Sequence, residues 1–163
     1  METKLGRIAD RSAQEHRPIF TSLYHLLNDE LLLKCHQELS GKKAVGIDQV
    51  TKEDYAANLK GNIESLVKRL KNKAYKPQPV KRVYIPKANG KKRPLGIAAY
   101  EDKIVQLGLR KILDAVYEPK FRENMYGFHP GRNCHMVEQD MCASIIGKVI
   151  INLFLANSCT RRI

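Results

Sequence analysis

Lys87, Lys91, Lys92 and Arg93 flank the pair Asn89-Gly90, and this is the arrangement in the chain best suited to chemistry. Asn-Gly between two extended segments predicts a tight hairpin, because both residues tolerate positive φ. The turn draws four cations into a small volume, where they repel one another unless an anion lies among them. Phosphate suits such a tip: arginine offers a planar two-pronged donor and lysine a compact point charge. The hairpin lies in a wider basic stretch from Lys60 to Arg93, where Glu64 is the only acidic residue. Each lysine or arginine that meets a phosphate releases condensed counterions, so the clustering reads as a nucleic-acid footprint. Tyr75 and Tyr84 sit among these cations, placed to stack on bases or to support a sugar-phosphate chain. Lys68, Arg69, Lys71 and Lys73 equally suit the exposed end of a helix, where cations complement the dipole.

The whole chain shares this bias. Its 163 residues suit about one domain, and 29 Lys and Arg against 17 Asp and Glu give a formal charge of +12. The resulting pI near 9.6 is in the range of nucleic-acid binders. Other classes fit less well. Cys35, Cys134, Cys142 and Cys159 form no regular framework and read as reduced thiols. Cys134, His135 and Cys142 match no usual zinc spacing, so no metal site is expected. The N-terminus lacks a signal pattern, with Glu2, Arg7, Asp10, Arg11 and Glu15 interrupting it. Ala143 to Ala156 is broken by Gly147, Lys148 and Asn152 and is too short to span a bilayer. A cytoplasmic protein with no membrane partner is the expectation.

The elements that must carry the hairpin can be read from periodicity. Residues 1–17 read as a short helix or a loose lead-in. Leu23, Leu26, Leu27, Leu31 and Cys35 recur at helical spacing between Ile19 and Leu39, and Ser40-Gly41 predicts a left-handed stop. Thr51 and Asp54 resemble a capping box ahead of an amphipathic helix of about five turns through Tyr55, Leu59, Ile63, Leu66 and Leu70. Pro77 and Pro79 end it. Val83 and Ile85 alternating with Arg82 and Tyr84 predict a half-buried strand, with a return through Arg93 to Ile97. A helix from Glu101 to Tyr117 follows, and 118–133 reads as a structured loop. The fold class is therefore α+β, helices carrying one basic β-hairpin.

The run Val80-Lys-Arg-Val-Tyr-Ile-Pro-Lys-Ala-Asn-Gly-Lys-Lys-Arg-Pro-Leu-Gly-Ile97 resembles the first fingers motif of group II intron-encoded reverse transcriptases and maturases. Glu101-Asp-Lys-Ile-Val-Gln106 is similar to that family's next helix, and Tyr126-Gly-Phe-His-Pro-Gly-Arg132 to its next block. Phe20 to Asn28 and Gly46 to Thr51 resemble its N-terminal extension. The resemblance implies a helical extension at 1–45, reverse transcriptase fingers at 46–137 and a divergent tail at 138–163. It implies that Lys87 and Arg93 grip the triphosphate of an incoming nucleotide. Arg82, Lys91, Lys92, Tyr126, Gly127 and Arg132 would then lie along RNA or template. Gln106 reads as a brace for its helix rather than an RNA contact.

Two departures qualify what is carried over. His129 stands where the family carries Arg, so a fixed charge is lost, and Ala98 replaces a common proline. Beyond His135 the family continues to a metal-binding Asp and a Tyr-x-Asp-Asp turn, which hold Mg²⁺ for nucleotidyl transfer. Here Asp140 is the last acidic residue, and the tail reads as frameshifted, with the palm missing. The expectation is a fragment of an RNA-directed DNA polymerase and maturase that binds intron RNA or template and dNTP. It has no catalytic residues, holds no Mg²⁺ and is inactive alone. The alternative is a stand-alone RNA-binding protein that helps intron RNA fold and splice. Without a palm, Leu109, Ile112, Val116 and the 145–155 run would be uncovered, and self-association is expected.

Overall fold

Five helices and one antiparallel hairpin make up the structure, a computed structural model that describes residues 2–88 and 90–122 with Met125, Gly127, Gly131, Asn133, His135 and Met136. The elements are α1 (Glu2–Gln14), α2 (Asp29–Glu38), α3 (Lys52–Ala57), α4 (Leu59–Lys71), β1 (Lys81–Pro86), β2 (Lys92–Ile97) and α5 (Tyr100–Tyr117). Short 3-10 turns lie at Tyr24–Leu26 and Glu118–Lys120. This is the α+β class expected from the sequence. The chain divides after Lys120 into two units. In the second, Gly131 has φ of +74°, and the Met136 N–H donates to the Asn133 side-chain oxygen at 3.1 Å.

The core of the first unit is built by the apolar stripes of α2, α4 and α5. Leu31, Leu32, Ile63, Leu66 and Ile104 are fully buried there. Burying such side chains supplies the main stabilisation, roughly 1.5–3 kcal/mol each relative to exposure. Helix α1 lies along α5, where the buried Ser12 hydroxyl donates to the Val116 carbonyl at 2.5 Å. Among the described residues, no helix is long and apolar enough to cross a membrane.

Local chemistry shortened two helices that periodicity alone extends. The Ile19–Leu39 run becomes a 3-10 turn followed by α2, because Asn28 caps the helix by accepting the Leu31 N–H at 3.0 Å. The five-turn helix becomes α3 and α4, parted at Asn58 with φ −130° and ψ 48°. The capping box itself is formed: Asp54 accepts the Thr51 N–H at 3.0 Å, and Thr51 accepts the Asp54 N–H at 3.1 Å. Gly41 does not adopt the expected left-handed conformation. The end of α2 is satisfied instead by the Lys52 ammonium, which donates to the Gln37 and Leu39 carbonyls at 3.1 and 2.6 Å.

Candidate nucleic-acid interface

The hairpin turn closes through two backbone bonds. The Lys87 N–H donates to the Lys91 carbonyl at 2.7 Å, and the Gly90 N–H to the Lys87 carbonyl at 3.0 Å. Gly90 takes φ of +75°, a conformation glycine adopts without steric strain. The strands pair Ile85 with Arg93, Val83 with Leu95 and Lys81 with Ile97; the alternate pairs are Pro86 with Lys92, Tyr84 with Pro94 and Arg82 with Gly96. Cross-strand partners share a face and neighbours along a strand alternate. Lys87, Lys91 and Arg93 therefore occupy one face with Ile85 and Leu95, whereas Arg82 and Lys92 occupy the other with Tyr84. Lys87–Lys91 is a hydrogen-bonded pair, so the pairs with Pro86 and Pro94 fall at the intervening sites. There the strand nitrogens point away from the partner, and neither proline breaks the ladder.

The sequence predicts a half-buried strand, but both strands are exposed apart from Val83 and Ile97, which are partly covered. Ile85 is 46% exposed and Tyr84 57%. The alternation is real, but among the described residues no other element covers either face. Arg82, Lys87, Lys92 and Arg93 form no ion pair with any described residue, and no acidic residue occurs between Glu64 and Glu101. Lys87 and Arg93 are thus brought together on one face. Arg82 and Lys92 stand on the opposite face, and Gly127 lies in the second unit. Tyr126 and Arg132 lie outside the described residues, as do Cys134 and Cys142. The described residues hold no group of three potential metal ligands.

What positions the hairpin is its root. Before β1, the Gln78 N–H donates to Asp102 of α5 at 3.0 Å, and the Tyr75 hydroxyl donates to the same carboxylate. Burial and this acidic partner push the Tyr75 phenol well above its ordinary value. Tyr75 is therefore held as a strut, not freed to stack on bases, and Tyr84 is the exposed ring of the pair. Arg69 is also occupied, donating to Glu101 at 2.6 Å.

After β2, the chain passes against Gly46, where an added Cβ would lie 2.6 Å from the Ala98 carbonyl oxygen and 2.7 Å from the Ala99 Cα. Asp48 then accepts the Tyr100 N–H at 3.0 Å, placing a carboxylate at the positive end of α5. Its other oxygen is buried without a hydrogen-bond partner among the described residues. Behind this joint, the Tyr100 hydroxyl lies 2.9 Å from His36 Nδ1, and the Tyr100 and Tyr55 rings pack at 5.1 Å. Burial, with Lys52 nearby, lowers the His36 pKa.

Sequence reasoning missed a basic concavity of about 420 Å³ beside the root, bounded by the 39–44 segment, the end of β2 and one side of α5. Lys103, Gln106 and Arg110 recur there at helical spacing, a signal visible in the sequence once α5 is recognised. Gln106 is exposed and braces nothing, since its amide has no hydrogen-bond partner among the described residues.

The sequence that builds this hairpin and its root has relatives among known proteins. Over 133 residues, 80% of its length, the chain is 37% identical to the group II intron-encoded protein LtrA of Lactococcus lactis subsp. cremoris. This chain is a relative of the group II intron-encoded proteins. It is also 36% identical over 113 residues, 68% of its length, to a 91 kDa protein in the cob intron of Schizosaccharomyces pombe. Protein YkfC of Escherichia coli K12 is 41% identical over 95 residues, 58% of this chain. The matched region spans 22% of LtrA, 14% of the S. pombe protein and 25% of YkfC. No family model matches the chain. The kinship agrees with the group II intron reverse transcriptase and maturase resemblance carried by the hairpin motif.

Proposed function

We propose that the chain is the RNA-gripping fingers region of a group II intron reverse transcriptase and maturase, and that its hairpin clamps phosphates. The observation that carries this reading is the register that sets Lys87, Lys91 and Arg93 on one exposed face of a braced hairpin. In this reading Lys87 and Arg93 take the triphosphate of an incoming nucleotide, supplying the positioning and charge neutralisation that phosphoryl transfer needs. Arg82, Lys91 and Lys92, with Tyr126, Gly127 and Arg132, follow intron RNA or template. In this reading the chain's part is binding, while the transfer step and its Mg²⁺ belong to the clustered carboxylates of the family's palm.

Binding to a structured group II intron RNA tests this across 50 to 200 mM salt. Affinity should fall steeply with salt, and Lys87→Ala and Arg93→Ala should each weaken binding and lower the salt slope by about 1. Unchanged affinity in both variants removes the hairpin from the reading. The same exposed face also suits a stand-alone RNA-binding protein that aids intron folding and splicing. Competition by dNTP for the hairpin favours the polymerase reading; its absence, with RNA binding intact, favours the other.

A further inference from the structure

We propose that the concavity at the hairpin root is a nucleotide subsite for single-stranded RNA, in which Gln106 reads a base edge and Lys43 and Arg110 hold the flanking phosphates. The proposal rests on the RNA-binding reading above and extends it to a second location. Three observations converge there. The first is continuity: Arg93, Leu95 and Ile97 alternate onto the face that bears Lys87, and Ile97 lines the concavity. A strand held at the tip and running along this face arrives at the root after about 13 Å, at roughly 3.3 Å per residue.

The second is composition. Leu39, Ile97 and Leu107 supply apolar lining for the flat face of a base, and Lys43, Lys103 and Arg110 supply cations. Among the described residues no acidic side chain lines the space, although Arg110 reaches Asp114 at 3.3 Å along its own helix. At about 420 Å³ the volume falls within the roughly 300–1,000 Å³ range of small-ligand sites.

The third is the state of the polar groups. The Lys103 ammonium donates to the Ala44 carbonyl at 2.6 Å, fixing the 39–44 wall, and is therefore a positioning residue. Lys43 and Gln106 are exposed and make no side-chain bond with any described residue. An amide that presents one donor and one acceptor side by side matches the two-point edge of adenine.

The test is binding of the full chain to short oligomers of A, C, G and U at several salt concentrations. Variants are Lys43→Ala, Gln106→Ala and Lys87→Ala, with circular dichroism as the folding check. The expected results are tighter binding of the A oligomer, loss of that preference by about fivefold or more in Gln106→Ala, and a salt slope lower by about 1 in Lys43→Ala. If Lys87→Ala weakens binding while Gln106→Ala leaves the base ranking and Lys43→Ala the salt slope unchanged, the subsite is refuted and the hairpin reading stands. If the wild-type chain binds none of the oligomers and no intron RNA, both fall together.

Discussion

The buried carboxylate of Asp102 accepts the backbone N–H of Gln78 at 3.0 Å, tying the first turn of α5 to the segment that launches β1. With the Tyr75 hydroxyl on the same group, one side chain orients the entry to the hairpin. Asp102→Ala should lower stability by about 1–3 kcal/mol, because a part-buried N–H and a hydroxyl lose their acceptor together. Tyr75→Phe should cost about 1 kcal/mol. Urea melts compare them, and equal costs would refute a central role for Asp102.

Gly46→Ala should be destabilising by about 1–3 kcal/mol, since its methyl would meet the backbone of Ala98 and Ala99, which no side-chain rotation can move aside. RNA affinity should fall further than the loss of folded protein explains, because the exit of β2 shifts. A melt at wild-type temperature would show that the joint is loose.

Acid should weaken the fold in a window set by His36. Its pKa in the folded chain lies below the ordinary 6.5, chiefly through burial and secondarily through Lys52. The unfolded chain therefore takes up a proton that the folded chain resists. The contribution is whole above pH 6.5 and declines as pH drops below it. Asp54, held low by its Thr51 hydrogen bonds, acts only near and below pH 4. Thermal melts between pH 7.5 and 5 should show a falling midpoint, and His36→Gln should flatten that slope. An unchanged slope assigns the effect to other groups.

Leu109, Leu113 and Tyr117 lie at four-residue intervals along α5, 42%, 49% and 54% exposed. The stripe suggests concentration-dependent self-association of the isolated chain. Leu113→Glu should shift sedimentation toward monomer by breaking the patch; a monomeric wild-type chain at high concentration would dismiss the idea. Ile112, expected to share the exposure, is instead buried at 3%, and Val116 is partly covered. Both lie on the side of α5 that turns inward, where Val116 also accepts the Ser12 hydroxyl.

The hairpin and α5 were legible because their signals are local: Asn89-Gly90 for the turn, alternation for the strands and an apolar stripe for the helix. The capping box at Thr51 and Asp54 was legible for the same reason. The breaks at Asn28 and Asn58 were not, because periodicity runs through a residue whose backbone leaves the helix. The positioning groups were hidden more deeply. Asp48 and Tyr100 are 52 positions apart, and Asp102 meets Gln78 across 24. No spacing rule pairs them before the fold does. Lys52, closing α2 from another helix, belongs to the same class.

Pro86 and Pro94 have a consequence beyond sparing the ladder. An outward-facing strand nitrogen is what a neighbouring chain needs to add itself alongside, and the two prolines remove one such donor from each margin of the hairpin. The lysines at 81, 87, 91 and 92 add like charge to any approaching copy. An open two-stranded ribbon is ordinarily an invitation to amyloid-like stacking. This one is guarded on both margins, so its faces stay available without its edges inviting a second copy.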